Sequence, residues 1–398
     1  MQYRKLGKSG IKVSALGFGC MRFPTMPTDD ESLSPFEIPV DEEETEKMLL
    51  YALEHGINYF DTAYPYHGGK SEELLGRTMK PYRDRIMIAT KLPAMMVKRA
   101  SDVERFIDEQ LKRLDSDYVD FYLLHGMNNH SWSLMKEYKA LDFMERLISD
   151  GRVLNTGFSF HDEVKVFKEI VDSYDWTLCQ IQYNYFDENR QAGKEGLQYA
   201  AAKGIGVVVM EPLRGGNLTD KIPPAVQAIW DMAETKRTAA EWALRWVFNH
   251  AEVSIVLSGM SAMPQLVENL KTVEDAEPNS LSQNELSLIQ KAKEEYEALL
   301  KVGCTGCGYC MPCPNGIDIP TNFNVYNNYF LFDQQRMSQM MYSMMMPEGQ
   351  RASSCVECGE CEEKCPQQIE IMEELKNVHS VLYMEGGGGE FPPPPPEP

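Results

Sequence analysis

Residues 86–124, IMIATKLPAMMVKRASDVERFIDEQLKRLDSDYVDFYLL, contain one strand, one helix and a second strand in succession. The apolar run at 86–92 has the length and composition of a buried β-strand. At 103–114 the apolar residues recur three and four positions apart, which indicates a helix with one buried face. A further buried-strand pattern follows at 118–124. This order of elements is typical of a parallel sheet shielded by helices.

The same alternation extends over residues 15–275, and each strand pattern is followed by a helical one. The predicted strands are 15–19, 57–63, 86–92, 118–124, 153–159, 178–183, 206–210 and 254–257. Eight such units in about 260 residues predict an α/β fold of the (β/α)8 or TIM-barrel class. A doubly wound sheet is the alternative. It would carry G-x-G-x-x-G after its first strand, whereas residues 17–22 read GFGCMR and supply only the first two glycines.

The composition excludes several classes of protein. Hydrophobic residues make up 43% of the 398 residues, enough for a large core, so a disordered chain is excluded. The formal net charge of -21 repels phosphate backbones and anionic lipid headgroups, and we therefore expect no nucleic-acid or membrane partner. We find neither a bilayer-length apolar run nor a signal-peptide pattern, and expect a cytoplasmic protein.

Four segments follow from the patterning. We assign residues 1–280 to the barrel, 281–300 to a connecting helix, 301–384 to a small, mostly helical domain that contains eight cysteines, and 385–398 to a disordered Gly/Pro tail. Residues 23–44 form a Pro-rich acidic insert after the first strand. On a barrel this loop lies at the active face, where it either covers the site or is simply a solvated loop.

Eight of the ten cysteines fall into two groups, which argues for metal or redox chemistry rather than disulfides. The metal-ligand candidates are Cys304, Cys307, Cys310 and Cys313, then Cys355, Cys358, Cys361 and Cys365. The second group has the C-x2-C-x2-C-x3-C-P spacing of bacterial ferredoxins, in which the fourth cysteine reaches the other cluster. The first group is one residue shorter before its last cysteine.

This pattern resembles a ferredoxin-like domain with two [4Fe-4S] clusters. The resemblance implies that Cys365 completes the cluster of the first group and that Cys313 completes the cluster of the second. The alternative is two zinc sites, because C-x2-C pairs also bind zinc. Zinc ribbons usually place their two pairs about 15 residues apart, so three cysteines at successive spacings of three favour iron–sulfur clusters.

Three predicted strands end in polar residues that a buried strand rarely carries. Asp61, Lys91 and His125 follow the apolar parts of the second, third and fourth barrel strands. Barrel enzymes keep their chemistry at these carboxyl ends. Because an unpaired buried ammonium costs several kcal/mol, Lys91 needs an acid nearby, and we expect Asp61 to be that acid.

Residues 56–63, GINYFDTA, together with Tyr66, Gly69, Ser71, Glu72 and Gly76, resemble the signature of the aldo-keto reductase family. The resemblance extends over residues 1–275 and implies the reversible reduction of an aldehyde or ketone by a nicotinamide. It also implies a catalytic tetrad of Tyr66, Asp61, Lys91 and His125.

The proposed chemistry also has a direct physical basis. A hydride that reaches a carbonyl carbon leaves negative charge on the oxygen, which needs a proton. Tyr66 is the expected donor. An ammonium about 4 Å from a phenol is worth roughly 4 kcal/mol at an effective dielectric constant of 20, so we expect Lys91 to lower the pKa of Tyr66 by up to about 3 units. His125 is expected to donate to the carbonyl oxygen and to orient the substrate.

The family resemblance implies three sets of cofactor contacts. The expected nicotinamide contacts are Ser159 and Gln180, the pyrophosphate contacts are Leu213, Gly215, Gly216 and Leu218, and the adenine contacts are Glu268 and Asn269. The last strand-to-helix loop, residues 258–265, contains no basic residue that would bind a 2′-phosphate. We therefore expect NAD(P)H use with a preference for NADH.

The two halves transfer different numbers of electrons, because a nicotinamide transfers a hydride and each cluster accepts one electron. Three interpretations follow: structural clusters beside an ordinary reductase, clusters that relay electrons to a redox partner protein, or a barrel that holds a flavin instead. A different class of function is a non-catalytic redox-sensing adaptor that binds nicotinamide in its barrel. The presence of all four tetrad residues favours a catalyst that acts on a small carbonyl substrate.

Overall fold

The computed structural model describes residues 1–28, 38–220, 222–304, 306, 310–365 and 367–384. Cys307, part of the acidic insert and the predicted tail lie outside the described residues. The chain divides into two compact units, one formed by residues 1–219 and 235–289, the other by residues 220–234 and the chain from 290 onward. Residues 220–234 therefore pack with the second unit, although they lie within the range that the sequence pattern assigns to the barrel.

Ten strands are present among the described residues. They are β1 (Tyr3–Lys5), β2 (Lys12–Ser14), β3 (Leu16–Gly19), β4 (Tyr59–Asp61), β5 (Met87–Leu92), β6 (Val119–Met127), β7 (Val153–Phe160), β8 (Leu178–Gln182), β9 (Gly206–Met210) and β10 (Val253–Ser258). Strands β3 to β10 form a closed parallel barrel in sequence order, with β10 paired to β3. The predicted (β/α)8 class is confirmed, and each of its eight strands coincides with a strand pattern in the sequence.

Fifteen α-helices are present in the same part of the chain. The first unit contains α1 (Glu42–Glu54), α2 (Lys70–Met79), α3 (Ala100–Leu114), α4 (Asn129–Glu137), α5 (Ala140–Ser149), α6 (Val164–Ser173), α7 (Gly193–Ala202), α9 (Ala239–Phe248) and α10 (Met263–Val273). The second unit contains α8 (Pro224–Asp231), α12 (Ile319–Leu331), α13 (Gln335–Met340), α14 (Glu360–Glu363) and α15 (Ile371–Leu382). Helix α11 (Gln283–Ala298) begins in the first unit and ends in the second.

The barrel interior is filled by alternate residues of the strands, because successive side chains of a strand point to opposite faces. One buried cluster contains Tyr59, Ala89, Phe121, Leu123, Leu178, Val208, Ile255 and Leu257. Leu6, which follows β1, and Val13, which lies in β2, belong to the same cluster. Asp61 lies two residues after Tyr59, and Lys91 lies two residues after Ala89, so both point to the same inner side as the cluster. This places the two polar side chains at the carboxyl edge of the barrel.

The second unit has a separate hydrophobic core. Residues of α12 and α15 supply much of it, including Phe323, Tyr326, Leu375 and Val378. Several cysteines of the two groups pack against this core, namely Cys304, Cys310, Cys313, Cys355 and Cys365. None of the described helices is both long enough and apolar enough to cross a bilayer.

Candidate active site

Lys91 is the buried centre of a polar cluster at the carboxyl edge of the barrel. Its side chain is fully buried, and its Nζ donates to Asp61 Oδ1 at 2.5 Å and to the Thr62 carbonyl at 2.7 Å. The Tyr66 hydroxyl lies 3.5 Å from the same nitrogen. Burial alone would lower the pKa of Lys91, but Asp61 and Tyr66 together raise it, so Lys91 is charged at neutral pH.

Tyr66 begins a short 3-10 turn, Tyr66–Gly69, in the loop that follows β4, five residues after Asp61. Burial raises the pKa of Tyr66 above its usual value, and Lys91 opposes this shift. The sequence-based expectation that Lys91 brings this pKa down is wrong for the net effect, although the direction of the Lys91 contribution is as expected. The cost of burying a phenolate exceeds the attraction of the ammonium because Asp61 neutralises much of that ammonium's charge.

His125 lies at an irregularity in β6. The pairing of β6 with β7 shifts between Leu124 and Met127, and Gly126 has a φ of +65°, a conformation that favours glycine. Such a bulge re-aims the side chain beside it. The imidazole meets the Tyr66 ring edge-on, with the ring centroids 5.9 Å apart. Burial, with Lys91 and His161 nearby, holds the pKa of His125 well below its usual range, so this imidazole is neutral.

The two residues expected at the nicotinamide lie side by side on β7 and β8, where Ser159 pairs in register with Gln180. The Ser159 hydroxyl accepts from the Gly126 amide at 2.8 Å, and thus braces the bulge that carries His125. Gln180 Nε2 donates to Asp61 Oδ2 at 2.9 Å. Both carboxylate oxygens of Asp61 are therefore hydrogen-bonded, one to Lys91 and the other to Gln180. Sequence reasoning did not find this second role of Gln180.

The predicted pyrophosphate loop follows β9. Gly215 and Gly216 both have positive φ, at +67° and +99°. The amides of Gly216 and Leu218 donate to the Leu213 carbonyl at 3.0 and 3.3 Å, so they hold the loop in a tight turn. The Leu218 side chain is completely buried, which assigns it to the core rather than to a ligand surface.

The two predicted adenine contacts are adjacent on α10. Asn269 is buried and donates to the Ser258 hydroxyl at 2.9 Å, which ties the helix to the end of β10. Glu268 is half-buried and accepts from the Thr238 hydroxyl at 2.5 Å. In this structure both side chains are therefore engaged within the protein.

Arg22 is a candidate functional residue that sequence reasoning missed. A methyl group on Gly215 would lie 3.2 Å from Arg22 Nη2, and one on Gly259 would lie 3.3 Å from Arg22 Cδ. The exposed Arg22 side chain therefore lies across the loops that follow β9 and β10. The sequence signal that could have identified Arg22 was its position as a basic residue three residues after Gly19, the end of the first barrel strand.

His161 was also missed. It follows Phe160, whose ring packs edge-on against Phe167 of α6, with centroids 5.1 Å apart. His161 directly follows the last residue of β7, and its backbone amide donates to the Met127 carbonyl at 2.9 Å. It is exposed there, and it is close enough to contribute to the lowered pKa of His125. Its only sequence signal was its position at a strand end.

One small cavity in the second unit is lined by cysteines of both groups. These are Cys313, Cys355, Cys358 and Cys361, and the remaining lining includes Ile317 and Leu375. Across the described residues, no three His, Cys, Asp or Glu side chains converge on a position for a single metal ion. The other two cysteines, Cys20 and Cys179, are buried in the barrel unit, and burial raises the pKa of both thiols.

The closed parallel barrel carries a lysine, a carboxylate, a tyrosine and a histidine at its carboxyl edge, where barrel enzymes have their active sites. The chain belongs to the aldo/keto reductase family, whose profile matches residues 15–294. Residues 303–370 match the family described as a 4Fe-4S dicluster domain. Both resemblances inferred from the sequence are confirmed.

Several proteins of known sequence or structure are similar to this chain over 69–75% of its length. L-galactose dehydrogenase of Arabidopsis thaliana is 28% identical over 320 residues, which cover 75% of this chain and 96% of that protein. A probable voltage-gated potassium channel subunit beta of the same plant is 27% identical over 317 residues, covering 69% and 92%. The holo form of aldo-keto reductase AKR11C1 from Bacillus halodurans has a TM-score of 0.61 at 28% identity and covers 73% of this chain and 96% of its own.

Proposed function

We propose that this protein is an NAD(P)H-dependent reductase that converts an aldehyde or ketone into an alcohol, reversibly. The observation that supports this most directly is the convergence of Tyr66, Lys91 and His125 at one edge of the barrel, with the phenol 3.5 Å from the ammonium. A proton donor, a charged neighbour and a neutral hydrogen-bond donor are the groups that carbonyl reduction needs.

Each residue then has a defined task. When bound, the nicotinamide supplies a hydride to the carbonyl carbon. Tyr66 transfers its hydroxyl proton to the carbonyl oxygen, and the resulting phenolate is stabilised by Lys91 until solvent restores the proton. Neutral His125 donates an N–H to the same oxygen and so fixes the direction of approach. Asp61 keeps Lys91 charged and in place, and Gln180 holds Asp61.

The glycine loop and Arg22 fit a dinucleotide, because a cation beside Gly215 can pair with a pyrophosphate where no side chain obstructs the backbone. Ser159 and Gln180 are proposed at the nicotinamide, and Glu268 and Asn269 at the adenine. A pyrophosphate is common to both cofactors, so Arg22 does not alter the proposed preference for NADH. Comparison of kcat/KM for NADH and NADPH tests this preference, and equal values or a higher value for NADPH would overturn it.

We further propose two [4Fe-4S] clusters in the second unit. The cavity lined by Cys313, Cys355, Cys358 and Cys361 supports the assignment of these four thiolates to one cluster. Cys304, Cys307, Cys310 and Cys365 would then bind the other. The clusters are either structural or relay electrons to a redox partner protein. Iron and sulfide analysis should give about eight of each per chain, and bleaching by NADH alone would favour the relay.

The decisive experiment is anaerobic NADH oxidation with a panel of aldehydes and ketones. We expect turnover by the native protein and a loss of at least about 100-fold in Tyr66→Phe, with cofactor affinity unchanged. Native protein that binds NADH but reduces no carbonyl would favour the redox-sensing adaptor. The grouped cysteines, which need reducing conditions to stay thiolates, support the proposal of a cytoplasmic location.

A further inference from the structure

Glu72 is a buried carboxylate outside the tetrad. Its side chain, in the first turn of α2, is inaccessible to solvent. Oε1 accepts from the Thr90 hydroxyl at 2.6 Å and from Gln110 Nε2 at 2.7 Å, and Oε2 accepts from Arg113 Nη1 at 3.2 Å. Moving a buried carboxylate away from its three hydrogen-bond donors would be costly. Glu72 therefore holds the side chains of Thr90, Gln110 and Arg113 in place.

On one side, this network reaches the strand that carries Lys91. Thr90 precedes Lys91 in β5, and Gln110 Nε2 also donates to the Lys91 carbonyl at 3.1 Å. The Gln110 amide oxygen accepts from the Tyr122 hydroxyl of β6 at 2.8 Å. Gln110 therefore has one orientation, and that orientation holds the Lys91 backbone.

On the other side, the network reaches the turn that carries Tyr66. Arg113 Nη1 donates to the Tyr64 carbonyl at 3.2 Å, and the guanidinium lies over the Tyr64 ring at 4.1 Å from its centroid. A methyl group on Gly69, the last residue of the turn, would lie 2.8 Å from Arg113 Nη1. The guanidinium thus contacts the chain on both sides of Tyr66.

The contact between Glu72 of α2 and Arg113 of α3, called the Glu72–Arg113 bridge below, depends on close packing of the two helices. A methyl group on Gly76 of α2 would lie 2.4 Å from the carbonyl oxygen of Leu114 in α3. Only glycine permits this approach, which brings Glu72 within reach of Arg113.

We propose that Glu72 and Arg113 are positioning residues that set the distance between the Tyr66 hydroxyl and the Lys91 ammonium. No strand pairing fixes this distance, because Tyr66 lies on a turn and Lys91 on a strand. At 3.5 Å the contact is at the outer limit of a hydrogen bond, so a small displacement of the turn would remove it. The expected effect on carbonyl turnover rests on the proposed function. The expected effect on the distance between Tyr66 and Lys91 does not.

The variant Glu72→Gln tests the bridge at a single contact. The amide oxygen can still accept from Thr90 and Gln110, whereas the amide NH2 would face the Arg113 guanidinium, donor against donor. The matched control is Arg77→Gln, because Arg77 is on the same helix but forms an exposed ion pair with Glu42. Arg113→Lys, which keeps the charge and loses the planar fork, is expected to give a smaller effect in the same direction.

The first readout does not require turnover. In protein labelled with a stable carbon isotope at tyrosine Cζ, the Tyr66 resonance is identified by its loss in Tyr66→Phe. We expect this resonance to shift in Glu72→Gln and in Arg113→Lys, and to stay in place in Arg77→Gln. An unshifted Tyr66 resonance in folded Glu72→Gln would overturn the inference, whether or not the protein reduces carbonyls.

The second readout is a double-mutant cycle on kcat. Glu72→Gln should lower kcat about tenfold with cofactor affinity unchanged, and should have no further effect in a Tyr66→Phe background, because it acts through Tyr66. Equal losses in both backgrounds would show a general structural role and overturn the inference. A native protein that reduces no carbonyl would refute the proposed function alone, and the resonance shift would then decide the inference.

Discussion

The Lys91 ammonium and the Asp61 carboxylate form an ion pair of 2.5 Å, with 0% of the Lys91 side chain and 5% of the Asp61 side chain exposed. Neither charge would be tolerated at this depth without the other, because each would bear an uncompensated desolvation cost. The pair joins β4 to β5 at the carboxyl edge and presents the ammonium to Tyr66. Stability and the proposed chemistry therefore depend on the same contact.

Removal of the ammonium should destabilise the barrel. We expect Lys91→Met to lower the free energy of unfolding by about 3–5 kcal/mol, because Asp61 remains buried without its cation. Urea denaturation followed by tryptophan fluorescence measures this. Lys80→Met is the matched control: its pair with Asp115 is more than half exposed, so a loss below about 1 kcal/mol is expected. Similar losses in both variants would contradict the prediction.

The rate of carbonyl reduction should be independent of pH between about 7 and 9. Reduction needs a protonated Tyr66, whose pKa is raised above its ordinary value near 10, so the rate falls only in strongly alkaline solution. It also needs neutral His125, whose pKa is well below its ordinary value near 6.5, so any loss in acid occurs below that pH. Measurement of kcat/KM across this window checks both signs. A change in kcat/KM between pH 7 and 9 would contradict the protonation state assigned to Tyr66 or to His125.

A side chain at Gly76 should separate α2 from α3. Gly76→Ala places a methyl group against the Leu114 carbonyl, which is backbone and cannot move aside, and we expect a destabilisation of about 1–3 kcal/mol together with a lower kcat. Thermal unfolding and carbonyl turnover measure the two effects. Gly349→Ala is the control, since a methyl group there meets no atom within 4 Å. Normal stability and turnover in Gly76→Ala would refute the close-packing argument.

Neutralisation of Arg22 should weaken binding of both nicotinamides equally. We expect Arg22→Met to raise the dissociation constants of NADH and NADPH about fivefold, the equivalent of roughly 1 kcal/mol for one exposed charge-assisted contact to a pyrophosphate. Titration of protein fluorescence with each cofactor measures this. A larger loss for NADPH than for NADH would instead place Arg22 at the 2′-phosphate.

Replacing Cys358, which lines the cavity with Cys313, Cys355 and Cys361, should remove one of the two proposed clusters. Cys358→Ser is expected to reduce iron and sulfide from about eight to about four per chain, because only the cluster completed by Cys313 loses a ligand. Cys179→Ser, in the barrel core, should leave the iron content unchanged. Iron content unaffected by Cys358→Ser would contradict the ligand assignment, and zinc in place of iron in the native protein would contradict the cluster proposal.

Local pattern was sufficient to predict the framework. Strand alternation and helical periodicity repeat over a few residues, so the eight barrel strands could be located, and the polar ends of β4, β5 and β6 identified Asp61, Lys91 and His125. The β6 bulge at Gly126 left no comparable local signal, although it aims His125.

The sequence by itself determined the parallel barrel, the polar residues Asp61, Lys91 and His125 at its strand ends, and the grouping of the cysteines, because each depends on a pattern of residues local in the chain. The family resemblance, rather than spacing, added Tyr66 and the proposed tetrad. Only the tertiary structure decided that Gln180 holds Asp61, that Arg22 lies across two distant loops, and that Glu72 and Arg113 link the Tyr66 turn to β5. It also reversed the expected net shift in the pKa of Tyr66. The physical reason is that these contacts join residues far apart in the chain, and that burial, which sets the cost of charge, exists only once the barrel has closed.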